Sequence, residues 1–189
     1  MAAVTALYDA CVLYPAPLRD FLLRLALTGL FRARWTDDIH DEWIRNVLKD
    51  RPALTRRQLE RTRRLMNLHV RDCLVTGYQR LIGTLALPDP DDRHVLAAAI
   101  HSKSSVILTY NLADFPPPYL ASFGLTARHP DDFILHWLDT APALVCSAAR
   151  QQRLSLKNPP KTVDEFLDIL ACQRLPRTLA RLHTHRDLL

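Results

Sequence analysis

Glycine is scarce in this chain: Gly29, Gly77, Gly83 and Gly124 are the only four in 189 residues. No G-x-G-x-x-G and no G-x-x-x-x-G-K-S/T can be assembled from them, which excludes the Rossmann dinucleotide fingerprint and the phosphate-cradling P-loop. No G-x-S-x-G is present, so an α/β-hydrolase nucleophile elbow is excluded too. Cysteine is equally thin. Cys11, Cys73, Cys146 and Cys172 stand far apart with no C-x-x-C pair, whereas structural zinc needs paired ligands at short spacing. The four are expected to be buried free thiols. No apolar run approaches the ~20 residues that cross a bilayer; the stretch from Phe21 to Leu30 is broken by Arg24. No basic segment precedes Ala2 to Leu7, and Asp9 follows at once. No signal peptide is therefore expected, the expected location is cytoplasmic, and no membrane association is expected.

What is present is ordinary globular composition, 48% apolar and 24% charged, which excludes disordered and fibrous classes. The length suits one domain plus an extension. The net charge of +5 is unevenly placed. Residues 1–149 hold 17 basic against 16 acidic side chains, and residues 150–189 hold 8 against 4. Within the first part, Arg51 to Arg71 carries seven arginines and one acid, Glu60. Two basic regions thus flank a body rich in acids. A basic patch is the footprint of a phosphate-backbone binder, although a solvated helix face has the same composition.

Val4 to Tyr8 is a short apolar run that stops at Asp9, which predicts a buried strand. Leu18, Phe21, Leu22, Leu25 and Gly29 follow helical spacing, with Gly29 as the stop. Phe31 to Trp35 predicts a second strand. Thr36 or Asp37 then caps a helix whose apolar face is Ile39, Trp43, Ile44 and Val47, with Glu42 on its flank. Thr55 is the expected N-cap of a basic amphipathic helix to about Leu68. Residues 73–87 show no clean period. Asp91 or Asp92 is expected to cap a helix bearing Val95, Leu96, Ala99 and Ile100 after the turn-forming segment 87–92. Ser105 to Tyr110 is the strongest strand signal. Residues 111–118 are expected to be a loop, because three consecutive prolines oppose a helix. Phe123 to Ala127 predicts another strand, and Pro130 opens a helix with Phe133, Ile134 and Trp137.

Alternating strands and helices predict an α/β fold with a mostly parallel sheet flanked by helices. Beyond about residue 140 only helical signals remain. Asn158 to Lys161 is a break, Thr162 to Glu165 a capping box, and Pro176 the start of a last helix. The expected division is 1–138 for the α/β domain and 139–189 for a helical extension. His183 and His185 read as a frayed tail rather than a metal pair.

The acids fall where chemistry is built. Asp9 follows the first strand, Asp114 follows the strand at 105–110, and ligands of open α/β sheets bind at the carboxyl ends of strands. Asp92 can join them from a helix start, where the dipole favours an ionised carboxylate, and Glu42 can reach in from its helix. Three or four carboxylates in one crevice repel unless a proton or a divalent cation offsets them. Oxygen ligands without a Cys or His pair suit Mg²⁺ or Mn²⁺. Each acid also has a plain alternative: Asp9 as a turn start, Asp91 and Asp92 as helix caps, Glu42 as a surface partner of Arg45 and Asn46.

Leu7 to Pro15 (L-Y-D-A-C-V-L-Y-P) resembles the opening motif of PIN-domain nucleases. Leu87 to Ile100 (L-P-D-P-D-D-R-H-V-L-A-A-A-I) resembles their third-acid motif in the form seen in bacterial VapC-like proteins. Ile107 to Phe115 (I-L-T-Y-N-L-A-D-F) is similar to the strand and loop that end the site, and Pro130 to Phe133 to the closing helix. The match covers residues 3 to about 138; the region 140–189 is similar, more loosely, to the helical tail of longer VapC-like chains.

The resemblance implies a PIN-like fold and a Mg²⁺- or Mn²⁺-dependent endoribonuclease, usually the toxin of a toxin–antitoxin pair. It implies Asp9, Glu42 and Asp92 as the first three acids. Many family members carry an acid where Asn111 stands, and others use the Asp of an N-x-x-D-F loop. Asp114 is therefore taken as the fourth acid, with Asn111 lining the site. Asp9, Asp92 and Asp114 are the expected metal ligands. Thr109 is expected to hydrogen-bond near them, with Asp89 and Arg93 as an additional acid and a phosphate contact. Arg56, Arg57, Arg63 and Arg64 are the candidate RNA contacts, with arginines of the C-terminal region beside them. The implied partners are an RNA substrate, a cognate antitoxin and a second copy in a homodimer. Two other readings stay open. Asn111 in place of an acid suits a catalytically silent PIN-like module that binds RNA or protein. A metal-dependent phosphatase is the other, and Cys11 counts against it, because aspartyl-phosphate phosphatases carry a second Asp two residues after the nucleophile.

Overall fold

A computed structural model describes residues 4–189. Its strands are β1 (Thr5–Tyr8), β2 (Arg32–Arg34), β3 (Val106–Leu108) and β4 (Thr126–Arg128). They form one parallel sheet in the order β2-β1-β3-β4. The two central strands are the apolar ones: Ala6 to Tyr8 and all of Val106–Leu108 are buried, as strands covered on both faces must be. The edge strands carry arginines, Arg32 and Arg34 on β2 and Arg128 on β4, which discourages further pairing. The expected α/β class with a parallel sheet is what the chain adopts.

The helices are α1 (Ala10–Leu13), α2 (Ala16–Leu27), α3 (Asp37–Asp50), α4 (Arg56–His69), α5 (Gln79–Ile82), α6 (Arg93–His101), α7 (Pro117–Ala121), α8 (Pro130–Thr140), α9 (Pro142–Ser155), α10 (Val163–Ala171) and α11 (Pro176–His183). The described chain divides into two compact units. One comprises residues up to Tyr14 together with Phe31–His129, and the other Pro15–Leu30 with Pro130–Leu189. The helix at 130–140, grouped with the α/β part in the sequence reading, thus lies in the second unit along with α2.

In the first unit, Thr36 caps α3 by accepting the Ile39 N–H at 3.0 Å, and Thr55 with Gln58 forms a capping box on α4. α3 and α4 are joined by a buried polar chain. The Trp35 and His40 ring N–H groups both donate to Asn67 Oδ1, at 2.7 and 3.0 Å, while His40 Nδ1 accepts from Trp43 Nε1 at 2.9 Å. α6 buries Val95 to Ala99 and packs on β1 and β3.

Three expectations are corrected. The proline run at 116–118 does not exclude a helix: Pro117 and Pro118 occupy the first positions of α7, where the missing N–H has no partner to lose. The four cysteines are free, but Cys172 is exposed and Cys11 only half-buried. The tail is not frayed, since Leu189 is buried and its carbonyl accepts from Arg153 at 3.4 Å.

In the second unit Gly29, at a φ of +79°, ends α2 in the left-handed conformation that glycine adopts without strain. Gln152 of α9 donates to the Pro17 carbonyl of α2 at 2.8 Å. The buried Asp131 carboxylate accepts the Arg177 and Thr178 N–H groups at 3.0 and 2.7 Å, capping α11 from α8. No described helix is long and apolar enough to cross a membrane.

Candidate active site

The site lies in the first unit, at the carboxyl ends of the central strands. Tyr8 of β1 is in register with Leu108 of β3, so the next residues, Asp9 and Thr109, emerge side by side. The Asp9 N–H donates to the Leu108 carbonyl at 3.1 Å and fixes that junction. Thr109 Oγ1 donates to Asp9 Oδ2 at 2.6 Å and accepts the Asn111 N–H at 3.0 Å. The Cys11 thiol donates to the same Asp9 oxygen at 3.1 Å and accepts the Tyr110 N–H at 3.2 Å. One carboxylate oxygen of a buried aspartate is thereby held from two sides.

Burial pushes the Asp9 carboxyl above the usual range; the Thr109 and Cys11 hydrogen bonds oppose that shift, and the Glu42 charge adds to it. Cys11 is pushed well up, by burial first and by the Asp9 charge second, so it stays a thiol and can keep donating.

Asp92 stands at the junction of a 3₁₀ turn (Pro90–Asp92) and α6, and its side chain caps neither. The capping role falls to Asp89, whose Oδ1 accepts the Asp91 N–H at 2.8 Å. Asp92 is half-buried, and its carboxyl is pushed up to about 7 by burial, then by the charges of Asp9, Asp114, Asp89 and Glu42. The fold therefore brings Asp9, Asp114 and Glu42 within electrostatic reach of Asp92, and Glu42 within reach of Asp9. Asp114 ends a 3₁₀ turn (Leu112–Asp114) just past β3, with its N–H on the Asn111 carbonyl at 3.1 Å. Asn111 and Asp89 are exposed.

Sequence reasoning missed two neighbours. His94 lies one residue past Arg93, and its Nε2 is 3.5 Å from Glu42 Oε2. Burial alone lowers its pKa, but Glu42, Asp38 and Asp9 outweigh that and raise it. Its spacing, two residues past Asp92 at a helix start, was the available signal. Cys11, two residues past Asp9, is the other. Arg93 is half-buried, and its Nε has no hydrogen-bond partner among the described residues.

The candidate RNA contacts separate. Arg63 is clamped by Asp37 and by Asp41 at 2.9 Å, and Arg56 pairs with Glu60 at 3.5 Å. Arg57 and Arg64 are exposed.

All four site acids offer oxygen donors, the chemistry that hard divalent cations accept, and the repulsion felt at Asp92 is what a cation relieves. The donor chemistry fits such an ion. Among the described residues, no three His, Cys, Asp or Glu side chains are gathered closely enough to form its ligand shell.

Residues 5–113 match the PIN domain family, and residues 130–184 match the VapC50 C-terminal domain family. The chain is 37% identical over 105 residues to a Mycobacterium tuberculosis (strain ATCC 25618 / H37Rv) protein named "Putative ribonuclease VapC50". That alignment covers 56% of this chain and 61% of the relative, so the chain spans less than two thirds of the relative's length. No solved structure matches it significantly.

Proposed function

Since the chain belongs to the PIN-domain family, we propose that it is a metal-dependent endoribonuclease and the toxin of a toxin–antitoxin pair. One observation carries the reading: at the carboxyl end of the sheet the Asp92 carboxyl is raised to about 7 by burial and then by the charges of Asp9, Asp114, Asp89 and Glu42, and Asp9 is raised by burial and by Glu42. Charges crowded in this way mark functional sites more often than structural ones.

In this reading Asp9, Asp92 and Asp114 are the residues that would hold a Mg²⁺ or Mn²⁺ ion, drawn closer together than they stand here. When bound, the ion supplies positive charge that polarises a phosphodiester and offsets the carboxylates. Thr109 and Cys11 hold the Asp9 side chain, so its carboxylate stays oriented. Glu42 and Asp114 orient the attacking water, and His94 steadies Glu42. Arg93 is a phosphate contact. The small antitoxin is proposed to place a basic group among these acids. A homodimer is proposed as the oligomeric state, the cytoplasm as the location, and residues 139–189 as a helical extension to the nuclease domain.

A second reading is a silent PIN-like module that binds RNA or protein. Asn111 in an often acidic position and the absence of a gathered three-ligand shell among the described residues favour it. Thermal melting separates the two. The nuclease reading expects Mg²⁺ or Mn²⁺ to raise the Tm, and Asp92→Asn to abolish that rise while keeping the fold. A wild-type Tm indifferent to both ions supports the silent module.

A further inference from the structure

The two basic regions of the sequence differ in how their cations are engaged. In the C-terminal region Arg181 pairs with Asp139 at 3.1 Å, Lys161 with Glu165 at 3.4 Å, Arg177 with Asp132 and Arg186 with Asp164. Arg153 donates to the carbonyls of Lys161 and Leu189. The positive excess there is largely committed to the fold. On α4 the same sorting leaves a remainder. Arg63 is bound to Asp37 and Asp41, and Glu60 is turned toward Arg56 and Arg63, at 3.5 and 3.7 Å. Arg57, Arg61 and Arg64 are exposed and form no ion pair among the described residues.

These three recur at i, i+4 and i+7 and so share one face. At 100° per residue that face lies roughly opposite the buried Leu59 and Met66. With Gln58 they line an open hollow of about 350 Å³. Their backbone positions step along the axis by about 6 and then about 4.5 Å, close enough for consecutive guanidiniums to meet consecutive phosphates of one strand.

We infer that Arg57, Arg61 and Arg64 form a phosphate track on α4 that holds single-stranded RNA away from the cleavage site. The naming of RNA rests on the ribonuclease reading; the track itself rests on three cations without counter-charge. The helix is fixed to the helix bearing Glu42 by the Arg63 clamp and the Asn67 hydrogen bonds, so RNA on the track keeps a set relation to that residue. Leu65 and Leu68 are also exposed on α4, at 43% and 73%. An acidic amphipathic partner would cover them, but unopposed positive charge favours a polyanion.

The test is binding rather than cleavage. The full chain, with chelator present, is titrated with a mixed-sequence single-stranded RNA over a range of salt. Replacing all three by Arg57→Gln, Arg61→Gln and Arg64→Gln is expected to weaken binding at least about tenfold at low salt. The salt slope should fall by about 2, the loss of three phosphate contacts at roughly 0.7 each. Arg177→Gln with Arg181→Gln, in committed ion pairs, should leave both nearly unchanged. A folded triple variant with wild-type affinity and slope overturns the track and leaves an acidic protein as the better occupant. A wild-type chain that binds no RNA also overturns it. Binding that weakens as expected in a chain that never cleaves RNA upholds the track and removes the nuclease reading alone.

Discussion

Thr109 donates its hydroxyl to the buried Asp9 carboxylate at 2.6 Å, across a separation of 100 residues. Adjacent parallel strands make that contact possible, and it ties the loop after β3 to the acid after β1. Thr109→Val keeps the shape but removes the donor and the acceptor used by the Asn111 N–H. A hydrogen bond to a charged group is worth about 1.5–3 kcal/mol, so urea unfolding should show a loss of that order. Cleavage should fall about 10- to 100-fold because Asp9 is then held by Cys11 alone and is less well oriented. Rates equal to wild type in a folded variant would remove Thr109 from the site.

His40 makes the fold sensitive to acid. Its Nε2–H donates to Asn67, and its Nδ1 accepts from the Trp43 indole, so a second ring proton would face a donor. Burial lowers its pKa from 6.5 to about 4. The unfolded chain takes up this proton near pH 6.5 and the folded chain only near pH 4, so acid favours unfolding between those values. About 3 kcal/mol of stability is present above pH 6.5 and lost as pH falls toward 4. Chemical denaturation at pH 7, 6 and 5 should show the decline, and His40→Gln should flatten it. Parallel wild-type and variant profiles would contradict the assignment.

Much of this was legible beforehand, and the exceptions have physical reasons. Asp9 could be read because the apolar run of β1 stops there, and Glu42 because it flanks a clear helical stripe. Asp92 was ambiguous, since a helix-start aspartate reads equally as a cap; only the side chain's failure to cap separates the roles. The proline run at 116–118 misled because proline opposes a helix interior yet suits its first turn. Which arginines are unpaired was hidden, because Asp37 and Asp41 reach Arg63 through packing of separate helices rather than through local spacing.

Arg63, held by Asp37 and Asp41, is expected to take no part in RNA binding. Its guanidinium joins α4 to two carboxylates of α3 and is mostly covered. Arg63→Gln should cost about 1 kcal/mol, as a partly exposed network does, and leave RNA affinity close to wild type. An affinity loss as large as that of Arg61→Gln would show instead that Arg63 is released to meet phosphate.

Asp131 caps α11 from another helix. Its carboxylate takes two backbone N–H groups, and its carbonyl accepts from Thr178 Oγ1 at 3.1 Å. Asp131→Ala leaves buried donors without partners and should lower stability by about 2–3 kcal/mol. Hydrogen exchange should speed up most in α11. Unchanged protection there would mean that the cap contributes little.

The central claim is that four carboxylates at the sheet's carboxyl end cut RNA with a divalent ion. Purified full chain should be incubated with total cellular RNA in Mg²⁺ or Mn²⁺, in chelator, and as an Asp9→Asn/Asp92→Asn variant. Discrete fragments that require metal and disappear in the folded double variant are the expected result. Fragments that persist in chelator or in that variant would contradict the account.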